Sequence, residues 1–393
     1  MSDSLEILNS IRSVAGSDYQ ARIPEAVRTN IASVGNTILS YQPATNQFFT
    51  QLINRIGKVI VTRMDSVDDI YSVFREGELA FGDTIQKIFI DIPKAKAFEG
   101  ASTLTPASML AVEKGVIHVE YTSVDRKMYY KRTISVAELK EAFTSVEKLD
   151  EFIRAITESM AVALSYDKYI MVTNTLAEHC KYVLNLEEQS TEGVKVNVLK
   201  VPASVAKYNK TSGEIEWDSV GAKVFLKMLR ILTGGLKFPH QLAYGSFDAN
   251  GDIVESSEGS ISAQKTARSE QILGLEVSTL ANIDVDALAT LFNLSKADLQ
   301  TQVIELEDGA FGLYTTEDDS VEHYIGGFVC SKSAVERGKS FEDTDSFKNP
   351  EHEYVNMWLH FWGYMAVSKF KDFVPIVFVP YTPASQSAES QGE

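Results

Sequence analysis

Residues 144–182 read TSVEKLDEFIRAITESMAVALSYDKYIMVTNTLAEHCKY, and the fold turns on them. They sit between Gly115 and Gly193, an interval with no internal glycine or proline in a chain that carries 23 glycines and 10 prolines. A stretch free of both breakers is where a long helix can run. Leu149, Phe152, Ile153, Ile156, Met160, Ala163, Leu164, Ile170 and Met171 recur at the spacing of one helical face. Ser135-Val136-Ala137-Glu138 and Thr144-Ser145-Val146-Glu147 both fit the capping-box pattern and mark two successive helix starts. A helix from Glu147 to Tyr182 would be about 54 Å long at 1.5 Å per residue. A compact globule of this length is roughly 55 Å across. The expected subunit is therefore built along one spine, unless Thr173-Asn174-Thr175 breaks the helix in two.

Upstream, the period changes to two. Ile88, Ile90 and Ile92 alternate with other residues over a strand from Thr84 to Ile92, which Pro93 stops. Lys94 to Lys114 is rich in Ala, Ser and Thr, as in a loop tip. A second strand places Ile117, Val119 and Tyr121 on one face and His118, Glu120 and Thr122 on the other, and a third runs from Lys127 to Ile134. Together they form a long antiparallel excursion. Its strand edges call for cover from a neighbouring chain. The string Arg75-Glu76-Gly77-Glu78 reads as a break before it. Residues 1–60, with loop signals at Gly16, Pro24, Gly35 and Pro43 and a short helix around Gln47 to Ile53, read as an extended arm with little core of its own.

Downstream lies a mixed α/β region. It has a strand at Val194 to Val201, a helix at Ala222 to Leu232, a loop at Gly234-Gly235 and a hairpin turn at Asn250-Gly251. Ile283-Asp284-Val285-Asp286 leads into a helix from Ala287 to Phe292, and Ser295 caps another. Tyr354 to Phe370 is aromatic-rich with helical spacing, and Phe373 to Tyr381 is a terminal strand. The polar tail from Ala384 to Glu393 has no apolar anchor and is expected to be disordered.

Composition narrows function. The 393 residues carry 37 Lys and Arg against 54 Asp and Glu, a formal charge of −17, which argues against a binder that reads nucleic acid through a basic surface. The two cysteines, Cys180 and Cys330, are too few for a disulfide framework or a four-thiolate zinc site. Met1-Ser2-Asp3-Ser4 opens no secretion signal, and Phe373 to Val379 is too short to span a bilayer, so a soluble protein made in a cytoplasm is expected.

Near-motifs fail on specific residues. Gly338-Lys339-Ser340 lacks the phosphate-loop glycine, because Ser333 stands five positions earlier. His352-Glu353 would need a second histidine where Asn356 stands. Asp248, Asn250 and Asp252 begin like a calcium loop, but Gly251 comes too early and Gly259 replaces the twelfth-position glutamate. The expectation is no catalytic residue, no metal and no cofactor.

The order of parts resembles that of phage major capsid proteins with the Hong Kong 97-type fold. Local sequence is similar to the phi-29 type of small short-tailed phages: Asn54 to Ile60, Gly82 to Ile92, Ile283 to Asn293, and Trp358 to Phe370, which resembles an aromatic helix near the end of that family's chains. The resemblance covers about residues 10–380. It implies an α+β capsid fold divided into an N-terminal arm (1–60), an extended loop with flanking strands of the peripheral domain (61–134), a spine helix (135–193), an axial domain with returning peripheral segments (194–384) and a disordered tail (385–393). Some relatives carry an appended immunoglobulin-like domain; this sequence departs from them in its polar tail, and a decoration role for that domain is not expected here.

The resemblance further implies a shell protein that assembles into hexamers and pentamers of an icosahedral head around double-stranded DNA without specific readout. Scaffolding protein and portal would be partners, assembly would occur in the host cytoplasm, and no membrane is involved. Ile88, Ile90, Lys94, Lys96, Met128, Tyr129 and Tyr130 are the candidate contacts between subunits. Ile88 and Ile90 equally suit packing within the hairpin. A cellular nanocompartment shell of the same fold, or an α/β enzyme, are the alternative readings.

Overall fold

The computed structural model describes residues 4–40, 44, 48, 70–79, 84–90, 117–188, 198–218, 220–243, 260–283, 302–315, 321–349 and 354–383. Lys94, Lys96, Asn250-Gly251, Ala287 to Phe292, Ser295, His352-Glu353 and the tail lie outside them.

Three helices open the chain: α1 (Ser4–Val14), α2 (Ser17–Arg22) and α3 (Ile31–Ser40). The core they pack in is one they share with the spine. Leu8, Ile11, Tyr19, Val34 and Ile38 are buried in one cluster with Ile156, Met160 and Leu164 of the spine helix. Their apolar residues recur at helical spacing and are therefore able to share one core with the spine.

Four strands follow: β1 (Arg75–Glu78), β2 (Thr84–Ile90), β3 (Ile117–Ser123) and β4 (Arg126–Ser135). Arg75 to Glu78 is no break, because β1 pairs in parallel with a later strand. A four-residue edge strand of charged residues and one glycine carries no apolar signal to announce itself.

Ser135 then caps α4 (Val136–Ala142) reciprocally. The Glu138 amide donates to Ser135 Oγ and the Ser135 amide to Glu138 Oε2, both at 3.1 Å. The spine, α5 (Val146–Glu188), starts one residue before the expected Glu147, and Ser145 Oγ accepts from the Lys148 amide at 3.2 Å. It runs unbroken for 43 residues, about 65 Å.

The spine joins two cores. Ile156, Met160 and Leu164 belong to the core of the N-terminal helices, while Val172, Leu176, Cys180 and Leu184 pack in the second, beneath an eight-stranded sheet. Thr173 does not break it: its hydroxyl donates back to the Tyr169 carbonyl and contacts Tyr71 Oη.

The remaining elements are β5 (Leu199–Val201), β6 (Ala206–Asn209), β7 (Glu214–Trp217), α6 (Gly221–Gly235), β8 (His240–Ala243), β9 (Ser260–Gln264), β10 (Gln271–Glu276), β11 (Gln302–Leu306), β12 (Leu313–Thr315), β13 (Glu322–Ser331), β14 (Val335–Asn349), β15 (Tyr354–Val367) and β16 (Phe373–Tyr381). Gly234 and Gly235 complete the last turn of α6 instead of forming a loop. The eight-stranded sheet has the order β11-β10-β13-β16-β6-β7, with β12 on β13 and β5 on β16. A four-stranded sheet has the order β1-β14-β15-β4.

Tyr354 to Phe370 is thus not a helix. Val355, Met357, Leu359 and Phe361 are buried at period two, and the strand pairs with β14 and β4 on either side. Trp358 and Trp362 on the opposite face fill the gaps in that alternation, so a strand apolar on both faces imitates helical spacing. Gly338-Lys339-Ser340 lies within β14 beside a bulge, paired to β1 and β15.

Candidate subunit interface

The β2–β3 hairpin has two chemically different faces, fixed by its register. Ile85 pairs with Thr122, Lys87 with Glu120 and Phe89 with His118, and these side chains point inward. Phe370 meets both rings of the last pair, at 6.1 Å from Phe89 and 5.9 Å from His118. Leu242 of β8 completes that small cluster. Glu120 accepts from Ser368 Oγ at 2.7 Å and from the Lys369 amide at 3.1 Å. Lys87 bridges to Glu336 at 3.0 Å. The described part of the ribbon is therefore seated on the body of its own chain instead of standing free.

The outward pairs are Gln86 with Tyr121, Ile88 with Val119 and Ile90 with Ile117. Ile88, Ile90 and Ile117 are each 60% exposed and Tyr121 66%. Alternation set by the pleat forces this outcome: once Phe89 and His118 are held by Phe370, their neighbours must face away. Burying one such side chain is worth roughly 1.5–3 kcal/mol. Five of them on one short ribbon form a surface that another molecule can cover.

The five expected contacts that lie among the described residues are not brought together. Ile88 and Ile90 lie on the bare face and do not pack within the hairpin. Met128 and Tyr130 face the first core, with Tyr130 Oη donating to Asp167 Oδ2 at 2.7 Å. Burial, reinforced by Asp167, pushes the Tyr130 phenol well above its usual range. Tyr129 points to the other side of the four-stranded sheet, beside His360. The cause is that β4 pairs with β15 and belongs to the body, so only β2 and β3 make the ribbon. Ile117, Val119 and Tyr121 were legible as one face but only the register makes them neighbours of Ile88 and Ile90.

One polar cluster escaped sequence reading because Asp372 is more than a hundred residues from its partners His240 and Thr266. His240 Nε2 lies 2.7 Å from Asp372 Oδ1, and Thr266 Oγ donates to Asp372 Oδ2. The other ring nitrogen is 2.9 Å from the Phe238 carbonyl, which only accepts. Both ring nitrogens face acceptors, and the His240 pKa is raised, chiefly by the Asp372 hydrogen bond. An imidazole donating twice has no lone pair with which to take a proton, so the arrangement clamps the β8–β9 ribbon to the turn before β16. Among the described residues no group of three or more His, Cys, Asp or Glu is placed to hold a metal. No described helix is long and apolar enough to cross a membrane.

A family model described as Phi29-like phage major capsid protein matches residues 8–377. The major capsid protein of Streptococcus phage Cp-1 is 25% identical over 94% of this chain and 93% of its own length. That of Bacillus phage PZA is 23% identical over 96% of this chain and 73% of its own. Among solved structures, a chain of the Staphylococcus phage Andhra capsid is 12% identical and superposes with a TM-score of 0.50, covering 79% of this chain and 84% of that one.

Proposed function

The chain belongs to the Phi29-like phage major capsid protein family, and from that premise we propose that the bare face of the β2–β3 hairpin is a surface through which one copy engages the next. The protein is the major capsid protein of a tailed phage, a structural component of the virion with the Hong Kong 97-type fold. It assembles into capsid oligomers. The nanocompartment alternative gives way to this family assignment.

The observation that carries the interface is the pairing of a clamped inner face with an outer face of Ile88, Ile90, Ile117, Val119 and Tyr121. In our reading residues 1–60 are an arm, 61–134 the loop with its flanking strands, 135–193 the spine and 194–384 the axial and returning segments. Copies close as hexamers and pentamers, with scaffolding protein and portal as assembly partners in the host cytoplasm. No catalytic role is assigned. Each contact is weak alone, and simultaneous engagement of several neighbours stabilises the shell.

The shell encloses double-stranded DNA without reading its sequence. A charge of −17 per subunit repels phosphates within the Debye length of about 8 Å. Screening by salt or divalent cations is therefore expected to promote assembly, which sedimentation across ionic strengths would follow. Electron microscopy of Ile88→Ser/Ile90→Ser/Ile117→Ser tests the interface: folded subunits without particles are expected. Normal particles from this variant, or from a chain lacking residues 93–114, would remove the hairpin from the assembly mechanism.

A further inference from the structure

We propose that the concavity at the C-terminal end of α6 is a binding site for phosphate groups. Its volume is about 500 Å³ and it is lined by Lys237, Lys265, Ala267, Arg268 and Glu270. Three cations face one carboxylate. Among the described residues none of these four charged groups forms an ion pair or a side-chain hydrogen bond, in a chain where acids outnumber bases. Arg268 Nε is inaccessible to solvent and has no partner. Arg268 lines the concavity, and a guanidinium presents a rigid fork of donors that matches the oxygens of a phosphate.

An ordinary structural role for these cations would be to neutralise the carbonyl end of α6. Four carbonyls of that end are already satisfied. The Leu232 carbonyl accepts from the Leu236 amide, Thr233 from Gln271 Nε2, Gly235 from the Phe238 amide and Leu236 from the Thr266 amide. The helix terminus supplies roughly half a negative charge, against an excess of two positive charges at the rim.

The backbone that carries the cations is fixed before any ligand arrives. Thr266 is buried between Lys265 and Arg268, bonded through its amide to Leu236 and through its hydroxyl to Asp372. Gln271 Nε2 also donates to the Thr266 carbonyl at 3.0 Å. Gly234 leaves room for the guanidinium, since a Cβ there would lie 3.3 Å from Arg268 Nη2. Three cations around one open concavity suit a group with two negative charges or several adjacent oxyanions better than a lone side-chain carboxylate. The shared chemistry is phosphate, supplied as free phosphate or as a nucleic-acid backbone.

The full-length protein, held unassembled at low concentration, is titrated with inorganic phosphate by calorimetry at constant ionic strength. A labelled duplex DNA is titrated separately by anisotropy, with and without phosphate. Lys265→Gln/Arg268→Gln is expected to lose at least tenfold in phosphate affinity. Lys223→Gln/Lys227→Gln, on the exposed side of α6, removes the same charge and is expected to change it less than twofold. Arg268 makes no hydrogen bond that the fold would lose, and equal Tm values check this. DNA displaced by phosphate, with a salt slope lower by about one per cation removed, assigns the site to the nucleic-acid backbone. Phosphate binding without DNA binding assigns it to the free ion. Equal losses in both variant pairs, no phosphate binding by the parent chain, or an acidic peptide that binds there undisturbed by phosphate would each overturn the proposal.

Discussion

In the eight-stranded sheet every residue of β13 after Glu322 is buried, whereas in the β2–β3 hairpin every second residue of β2 is exposed. β13 and β2 each pair antiparallel with their neighbours. The sheet is covered on one face by the second core, with the spine, and on the other by the third, where Phe225 and Leu229 of α6 lie. Among the described residues the hairpin is covered on one face, by Phe370 and its neighbours. One region is completed by the described part of its own chain, and the other has an apolar face that no described residue covers. Stability and assembly should therefore respond to mutation separately.

Changes in the completed region are expected to act on folding. Phe328 is fully buried, stacked on Phe373 at 5.3 Å and close to Phe311 at 5.9 Å. Phe328→Ala should cost about 3–5 kcal/mol in denaturant unfolding of the subunit; a loss below 1 kcal/mol would mean that this sheet is less complete than described.

Next comes a pH effect in the same sheet. Glu276 is buried, and desolvation outweighs its hydrogen bonds from Tyr324 and Gly309, raising its pKa to about 7. The folded state then holds this proton more tightly than the unfolded chain. The contribution is complete below the unfolded value near 4.5 and is lost as pH rises to about 7, on the order of 3 kcal/mol. Glu276→Gln should flatten that part of the stability profile; an unchanged slope would assign it to other groups.

Ser135→Ala removes one half of the capping box where β4 passes into α4, and should cost about 1 kcal/mol. Thermal denaturation of the unassembled subunit measures it. Smallest on stability is Ile88→Ser/Ile90→Ser, expected within about 0.5 kcal/mol because these side chains are already in water. The same variant sharpens the contrast most if it abolishes particles. A large destabilisation would show instead that the outer face is held within the chain.

The spine was legible because a glycine- and proline-free interval with a consistent apolar face leaves few other conformations open. Its reach was underestimated, as Val183, Leu184 and Leu186 continue the buried face beyond Tyr182. The hairpin strands were legible because alternation over seven residues is a local signal. β15 was not, because aromatic residues on both faces erase the period. Of the candidate contacts, Ile88 and Ile90 were placed correctly on a strand, while Met128 and Tyr130 required knowing which strand β4 pairs with.

By itself the sequence determined the long helix, its caps, the alternating ribbon and the acidic charge, all of which depend on residues close together in the chain. Tertiary structure alone decided that β1 joins β14, that β4 joins β15, that the N-terminal helices share the spine's core, and which face of the ribbon is left open. Periodicity shows that a face exists, but only the partner that occupies it, often hundreds of residues away, determines whether that face is buried.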